Sequence, residues 1–263
     1  MPTDAAIAVE NLTAAYGERT ILENVSFRVR RGERFVIVGG SGCGKTTLLR
    51  HLIGLQRPSA GHVWIDGEDI GQAETEQLRR IQRKFGVLFQ SGALFGSLTL
   101  GENIALPLEE YTHLPPTLIR LIVRLKLSMV RLDGFEDFRI AELSGGMKKR
   151  AGLARAMALD PGILFFDEPS AGLDPITSAE LDELILQINR SLGTTIVVVS
   201  HELPSIFTIA ERCIMLDRSA KGIIAEGAPQ DLRDRSTDPR VRAFFNRQPQ
   251  SAARRAAVGH RNS

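Results

Sequence analysis

The chain is poor in cysteine, close to neutral in charge and without a long apolar run. Its two cysteines, Cys43 and Cys213, stand far apart in 263 residues. That spacing suggests no disulfide framework and fits a reducing compartment. A formal net charge of +2 is too small to imply nucleic acid by itself. No apolar stretch approaches the roughly 20 residues of a membrane span, so a membrane role is expected to come through a partner. The amino-terminal MPTDAAIAVE lacks the basic-then-apolar pattern of a signal peptide, and a cytoplasmic location is expected. No internal repeat is visible. What is present is an ordinary globular balance, 43% hydrophobic and 24% charged, enough for a sizeable core.

The first ninety residues alternate short β-type runs with glycine turns: IAVENL, VSFRV, RFVIVGG, HVWIDGEDI with its Asp66-Gly67 turn, and FGVLFQ. Between them, KTTLLRHLIGL reads as a helix launched from a glycine-rich loop. From about Gly92 to Pro161 the texture becomes helical, with apolar and basic residues at helical spacing in TLIRLIVRLKLSMVRL. GILFFDE and TTIVVVSHE are continuous apolar runs of the kind found in a parallel sheet covered on both faces. The amphipathic DPITSAELDELILQINRSL separates them, and the β-type pair CIMLD and GIIAEG precedes a polar tail.

GGSGCGKT, Gly39, Gly40, Ser41, Gly42, Cys43, Gly44, Lys45 and Thr46, fits the phosphate-loop pattern between a strand and a helix. Glycines let successive backbone N–H groups point at phosphate oxygens. Lys45 would reach the β- and γ-phosphates and the Thr46 hydroxyl would ligate Mg²⁺; Thr47 belongs to the same nucleotide-contact set. ILFFDE ends a buried-strand run in two carboxylates. Asp167 is suited to the magnesium shell, directly or through water, and Glu168 to polarising an attacking water. His201 follows the next apolar run. If that strand neighbours the phosphate-loop strand, His201 would orient the water at the γ-phosphate, and Gln90 after GVLFQ is a weaker version of the same argument. LSGGM opens a helix whose Ser144, Gly145 and Gly146 form a second anion site with the positive end of the helix dipole. The basic run Lys148, Lys149 and Arg150 reads as a solvated helix face supporting the negative charge of a nucleotide. Cys43 is either merely a small residue of the loop or a point at which a bulky adduct would block the nucleotide.

In the order Tyr16, GGSGCGKT, Gln90, LSGGM, ILFFDEP, AGLD and His201, the chain resembles ATP-binding cassette (ABC) ATPases over almost its whole length. The resemblance implies an α/β fold: a P-loop NTPase core with a mostly parallel sheet, an N-terminal antiparallel β subdomain and an inserted α-helical subdomain. One domain, 1–247, is expected, with 1–91 and 160–247 as catalytic core and 92–159 as the helical signature subdomain. Residues 248–263 are expected to be a disordered basic tail. By resemblance, ATP and Mg²⁺ are the cofactors, Tyr16 stacks on adenine, and Gln90 links magnesium and water to the helical subdomain. Ser144, Gly145 and Gly146 would cap ATP held by a partner subunit, and Asp174 lies in the loop that communicates across that dimer. DNA-binding cassettes carry long coiled coils or zinc insertions, for which this chain has neither room nor cysteine pairs, so nucleic acid is not an expected partner.

Met147 departs from the family's usual glutamine. That methionine, LFQSGALFGSLTLGENIALPLEEYTHLP and DPRVRAFF are similar to cassettes energising MCE-type phospholipid transport between the bacterial inner and outer membranes. This narrower resemblance implies a homodimer with shared ATP sites beneath two copies of a transmembrane permease. A periplasmic MCE-domain lipid-binding protein and accessory subunits would complete the complex, with this chain peripheral on the cytoplasmic face of the inner membrane. The alternatives are another importer cassette, such as one for polar amino acids, and a soluble cassette without a permease. The apolar stretch after Gln90, with Leu94, Phe95 and Leu98, is either buried core or part of a groove for a permease helix.

Overall fold

A computed structural model describes residues 5–248; the expected basic tail, apart from Gln248, lies outside the described residues. The chain divides into two compact units, one built from 5–74 and 199–248 and the other from 75–198.

In the first unit, β1 (Ala5–Tyr16) and β2 (Arg19–Arg30) form a long antiparallel pair in which Val9 faces Phe27 and Tyr16 faces Arg19. β4 (Ala60–Ile65) pairs antiparallel with the other edge of β1, and β5 (Glu68–Asp69) returns on β4 through the Asp66-Gly67 turn. This is the antiparallel N-terminal sheet. Beside it in sequence, β3 (Arg34–Gly39) pairs parallel with β9 (Arg212–Asp217), whose antiparallel partner is β10 (Gly222–Gly227). Phe35, Val36, Ile37 and Val38 of β3 are all at most 1% exposed, so β3 carries no alternation and reads as a strand covered on both faces. α1 (Lys45–Leu52), α7 (Leu203–Ile209), α8 (Pro229–Arg235) and α9 (Pro239–Phe245) complete the unit.

The second unit opens with α2 (Thr75–Gln82) and β6 (Phe85–Leu88). β6 pairs parallel with β7 (Ile163–Asp167), Phe85 beside Ile163 and Leu88 beside Phe166. α6 (Pro175–Leu192) leads into β8 (Thr195–Val199), and the Thr195 amide donates to the Gly162 carbonyl, 3.0 Å. β7 and β8 are buried along their full length. At about 1.5–3 kcal/mol for each large aliphatic or aromatic side chain removed from water, such strands dominate the stability of the unit.

Between β6 and β7 the chain is helical: α3 (Leu100–Tyr111), α4 (Pro116–Met129), a 3-10 turn at Ile140–Glu142, and α5 (Gly145–Ala156). α3 starts at a reciprocal cap, Glu102 N–H donating to the Thr99 hydroxyl (3.2 Å) and Thr99 N–H to the Glu102 carboxylate (2.6 Å). The parallel strands, N-terminal antiparallel sheet and helical insertion agree with the expected α/β class.

Candidate functional site

The glycine-rich loop in the first unit runs from the end of β3 into α1. Gly44 stands at the N-cap of α1 with φ 106°, and a Cβ there would meet Leu22 at 2.8 Å. A Cβ on Gly39 would lie 2.4 Å from the Leu216 carbonyl oxygen and 2.6 Å from Cys43 Sγ. A side chain at Gly39 would press on the Leu216 backbone, and one at Gly44 would be strained by its φ. α1 has neither a side-chain cap nor an acidic residue in its first turn, so its leading N–H groups and the helix dipole suit an external anion. Lys45, 9% exposed, donates from Nζ to the carbonyls of Gly39 (2.9 Å) and Gly40 (3.2 Å), which keeps its ammonium at the loop. Ser41, Gly42 and Thr46 are exposed, while Gly40 and Thr47 are half-buried.

Tyr16 ends β1, 46% exposed as a residue, with its hydroxyl donating to Gln56 Oε1 at 2.8 Å. The anchored hydroxyl fixes the ring while leaving a face open for a flat partner. His201 is exposed one residue after Ser200, whose amide donates to the Ile37 carbonyl of β3 at 3.2 Å. The condition set by the sequence is therefore met: the segment bearing His201 runs beside the phosphate-loop strand.

Cys43 is buried at 2% exposure, and burial pushes its thiol above the usual cysteine value; burial pushes Cys213 up to about 12. Thiolate is the reactive form, so both should react slowly in the folded chain. Maleimide labelling of Cys43, followed by peptide mass spectrometry, is expected to run at least about tenfold slower in the native chain than in urea. Fully labelled protein should fail to bind nucleotide, because Sγ has no room for an adduct beside Gly39. Normal binding by labelled protein would refute this.

In the second unit, Asp167 ends β7 at 8% exposure and Glu168 follows half-buried. Glu168 has φ 49°, a left-handed conformation that costs of order 1–3 kcal/mol for a non-glycine residue and persists only where its surroundings enforce it. Gln90 is exposed just past β6. Gln90, Ser91, Asp167, Ala171 and Gly172 line one open depression of about 500 Å³. The structure thus brings Gln90 and Asp167 together.

Ser144 is the N-cap of α5, its hydroxyl oxygen accepting from Met147 N–H at 3.2 Å. Ser144 and Gly145 are exposed and Gly146 is half-buried; a Cβ on Gly146 would lie 2.6 Å from Thr177 Cγ2. The signature turn is therefore packed against the start of α6, where Asp174 is the N-cap. The Asp174 carboxylate accepts from Ile176 N–H (3.0 Å), Thr177 N–H (3.0 Å) and the Thr177 hydroxyl (2.5 Å). Those bonds, the Thr177 hydroxyl first, hold the carboxyl below its usual range. An Asp directly before a Pro that starts a helix is the local signal for this capping role.

The basic run after the signature is not a solvated face. Lys149 is 6% exposed and donates from Nζ to the carbonyls of Gln90 (2.5 Å) and Glu168 (3.2 Å). Arg150 pairs with Glu180 at 2.5 Å. Composition alone hides this, because helical phase decides which of three adjacent cations turns inward; Lys149 falls beside Gly152 and Leu153 on the buried side of α5. Phe95 is 52% exposed and so does not belong to the core, while Leu94 and Leu98 of the same stretch are half-buried. The Phe95 backbone is held by Asn103, fully buried, whose side chain accepts from Phe95 N–H (2.8 Å) and donates to Phe95 O (3.1 Å) and Thr99 O (2.9 Å). Phe95, Leu106, Tyr111, Val87, Arg83 and Arg155 line a groove of about 560 Å³.

A phosphate loop running into an uncapped helix, an acid-ended buried strand and a serine-glycine helix start define the class: a nucleotide-hydrolysing cassette. Comparison with known proteins narrows it. A family profile described as "ABC transporter" matches residues 22–171. The probable ribonucleotide transport ATP-binding protein mkl of Mycobacterium leprae is 45% identical over 94% of this chain and 70% of that protein. The intermembrane phospholipid transport system ATP-binding protein MlaF of Haemophilus influenzae is 42% identical over 91% of this chain and 89% of that protein. Among solved structures, the ATP-binding cassette MJ0796, a dimer in a post-hydrolysis state bound to ADP and Pi, superposes with TM-score 0.77 at 31% identity. That match covers 84% of this chain and 98% of the other. The chain belongs to the ABC transporter family and is an ATP-binding, ATP-hydrolysing member of it.

Proposed function

We propose that this chain energises phospholipid transport between the inner and outer membranes of a bacterium, as the ATPase subunit of an Mla-type system. The observation that carries the reading is the near end-to-end similarity to MlaF, 91% of this chain and 89% of that protein. The mkl similarity reaches a larger identity but only 70% of that protein; the ribonucleotide of that protein's name is the alternative to be tested. Among the described residues no helix is long and apolar enough to cross a membrane. In this reading the chain is a homodimer, peripheral on the cytoplasmic face and docked to two permease subunits. An MCE-domain lipid-binding protein and accessory subunits belong to the same assembly.

In this reading the loop N–H groups of Gly39–Thr47, the Lys45 ammonium and the start of α1 hold the ATP phosphates, and Tyr16 stacks on the adenine. Thr46, Asp167 and Gln90 are the residues for Mg²⁺. Among the described residues no three His, Cys, Asp or Glu side chains cluster as a metal cage. A carboxylate, a hydroxyl and an amide are oxygen donors of the kind a hard cation such as Mg²⁺ would take. When bound, the metal neutralises charge developing on the phosphate oxygens. Glu168 accepts a proton from the attacking water as its oxygen bonds to the γ-phosphorus and the bond to the ADP oxygen breaks. His201 orients the same water and phosphate. Ser144, Gly145 and Gly146 of a second copy supply donors to the γ-phosphate, and the Asp174 loop lies along the same dimer contact. Positioning and charge stabilisation carry most of such catalysis.

The groove beside Phe95 is the docking surface for a permease helix in this reading. The test is purification of the chain from native membranes in mild detergent, beside a Phe95→Asp variant. A permease and an MCE-domain protein with bound phospholipid are expected with the wild type. The variant should lose the permease, by about tenfold or more for a buried aromatic anchor, and bind ATP normally. Recovery of a different permease, or of bound ribonucleotide substrate in place of lipid, would overturn the phospholipid assignment. Retained assembly by the variant would remove Phe95 from docking.

A further inference from the structure

The ammonium of Lys149 lies in the interior of the second unit and donates to two backbone carbonyls far apart in sequence, Gln90 at 2.5 Å and Glu168 at 3.2 Å. The Glu168 carbonyl also accepts from the Ala171 amide at 3.2 Å, closing the turn after β7. A carbonyl has two acceptor lobes, and this one serves the turn and Lys149 together. Glu168 sits at φ 49°, so its Cβ direction, and with it the carboxylate, is set by a conformation the residue would not keep unaided. Six residues along α5, Arg155 donates to Ala93 O (2.8 Å) and Gly92 O (3.2 Å). Gly92 and Ala93 also have positive φ, 74° and 50°. The helix that begins at the signature serine thus grips the strained segment after Gln90 and the strained residue after Asp167.

We propose that Lys149 is a positioning residue for ATP hydrolysis, its buried ammonium tying the backbone of Glu168 and Gln90 to the signature helix. This deepens the proposed function and rests on Glu168 being the base. Ser144 lies five residues before Lys149 on the same rigid helix. Seating of the signature on a nucleotide therefore moves the ammonium, and the ammonium sets the backbone from which the base projects. Hydrolysis is gated by the position of α5, and nucleotide binding is not.

The test uses the full-length chain as Lys149→Met and Lys149→Arg, with steady-state ATPase kcat and KM, equilibrium ATP binding and thermal unfolding. The Met variant is expected to lose about 10- to 100-fold in kcat, the cost of misplacing a reacting group by about an ångström. Its KM and ATP affinity should stay within about twofold. The Arg variant, which keeps the donors, should retain most of kcat. Wild-type kcat in the Met variant would overturn the proposal. So would an Arg variant as slow as Met, or a loss of folding or of ATP affinity in both, since each places the requirement in packing. Glu168→Gln in the same assay separates the two readings: wild-type hydrolysis there would remove Glu168 as base, whatever the Lys149 variants do.

Discussion

Glu168→Gln is expected to bind ATP within about twofold of wild type and to hydrolyse it about 1000-fold more slowly, within the range lost when a positioned general base is removed. The substitution keeps size and shape and removes only the capacity to take a proton. Nothing in the phosphate loop changes, because Gly39, Gly40 and Lys45 are tied to one another by their own hydrogen bonds. The turn after β7 also survives, since the Glu168 backbone carbonyl, not its side chain, accepts from Ala171 and Lys149. Binding without turnover should accumulate the ATP-bound dimer, read by size-exclusion chromatography in ATP. Hydrolysis within about threefold of wild type would remove Glu168 from its role.

The elements that carry chemistry are legible in the sequence because they end uninterrupted apolar runs. β3, β7 and β8 are read from FVIVGG, ILFFD and TIVVV, and burial of every residue of β7 and β8, and of all of β3 but Arg34, is why no alternation intervenes. The signature helix is read from its serine-glycine start for a related reason: the cap is local chemistry. Less legible is whatever depends on which way a polar side chain turns. Lys149 and Arg150 are neighbours in sequence, yet one enters the interior and the other pairs at the surface with Glu180. Phe95 has the composition of core but is carried outward by a loop that a buried asparagine fixes. α8 and α9 fall where the sequence reads as a polar tail; Pro229 and Pro239 at their first positions, the latter after the capping Asp238, were the available signals. Short helices of that kind are stabilised by packing, Leu232, Val241 and Phe245 being buried, and packing partners distant in sequence leave little local trace.

The first unit also contains a buried carboxylate held by a half-buried arginine, a pair whose removal should lower the stability of the chain. Glu33 is 3% exposed. Arg212 grips it from both sides of the guanidinium, Nε to Oε1 at 2.8 Å and a terminal nitrogen to Oε2 at 2.9 Å, and Arg30 N–H adds a bond at 2.8 Å. The same guanidinium donates to Arg28 O (2.6 Å), pairs with Glu226 and lies 4.8 Å over the Phe35 ring. Burial pushes the Glu33 carboxyl upward, but the hydrogen bonds and charge of Arg212 outweigh it and hold the group below its usual value. A depressed carboxyl contributes stability that is present above its unfolded value of about 4.3 and is lost as pH falls through the folded value. Arg212→Ala leaves that carboxylate buried without its main partner, at an expected cost of about 3–5 kcal/mol at pH 7, or a Tm lower by about 10 °C. In the variant, burial of Glu33 is opposed only by Arg30, so its folded value rises and the pH-dependent stability it contributes shrinks. The variant is therefore expected to lose less stability than the wild type as pH falls toward 4.5. Urea unfolding at pH 7 and pH 4.5 should therefore show the gap between the two narrowing in acid, and Glu33→Gln added to Arg212→Ala should recover part of the loss at pH 7. A gap of equal size at both pH values would mean that Arg212 stabilises through its packing on Phe35 and its bond to Arg28, with the charge of Glu33 playing no part.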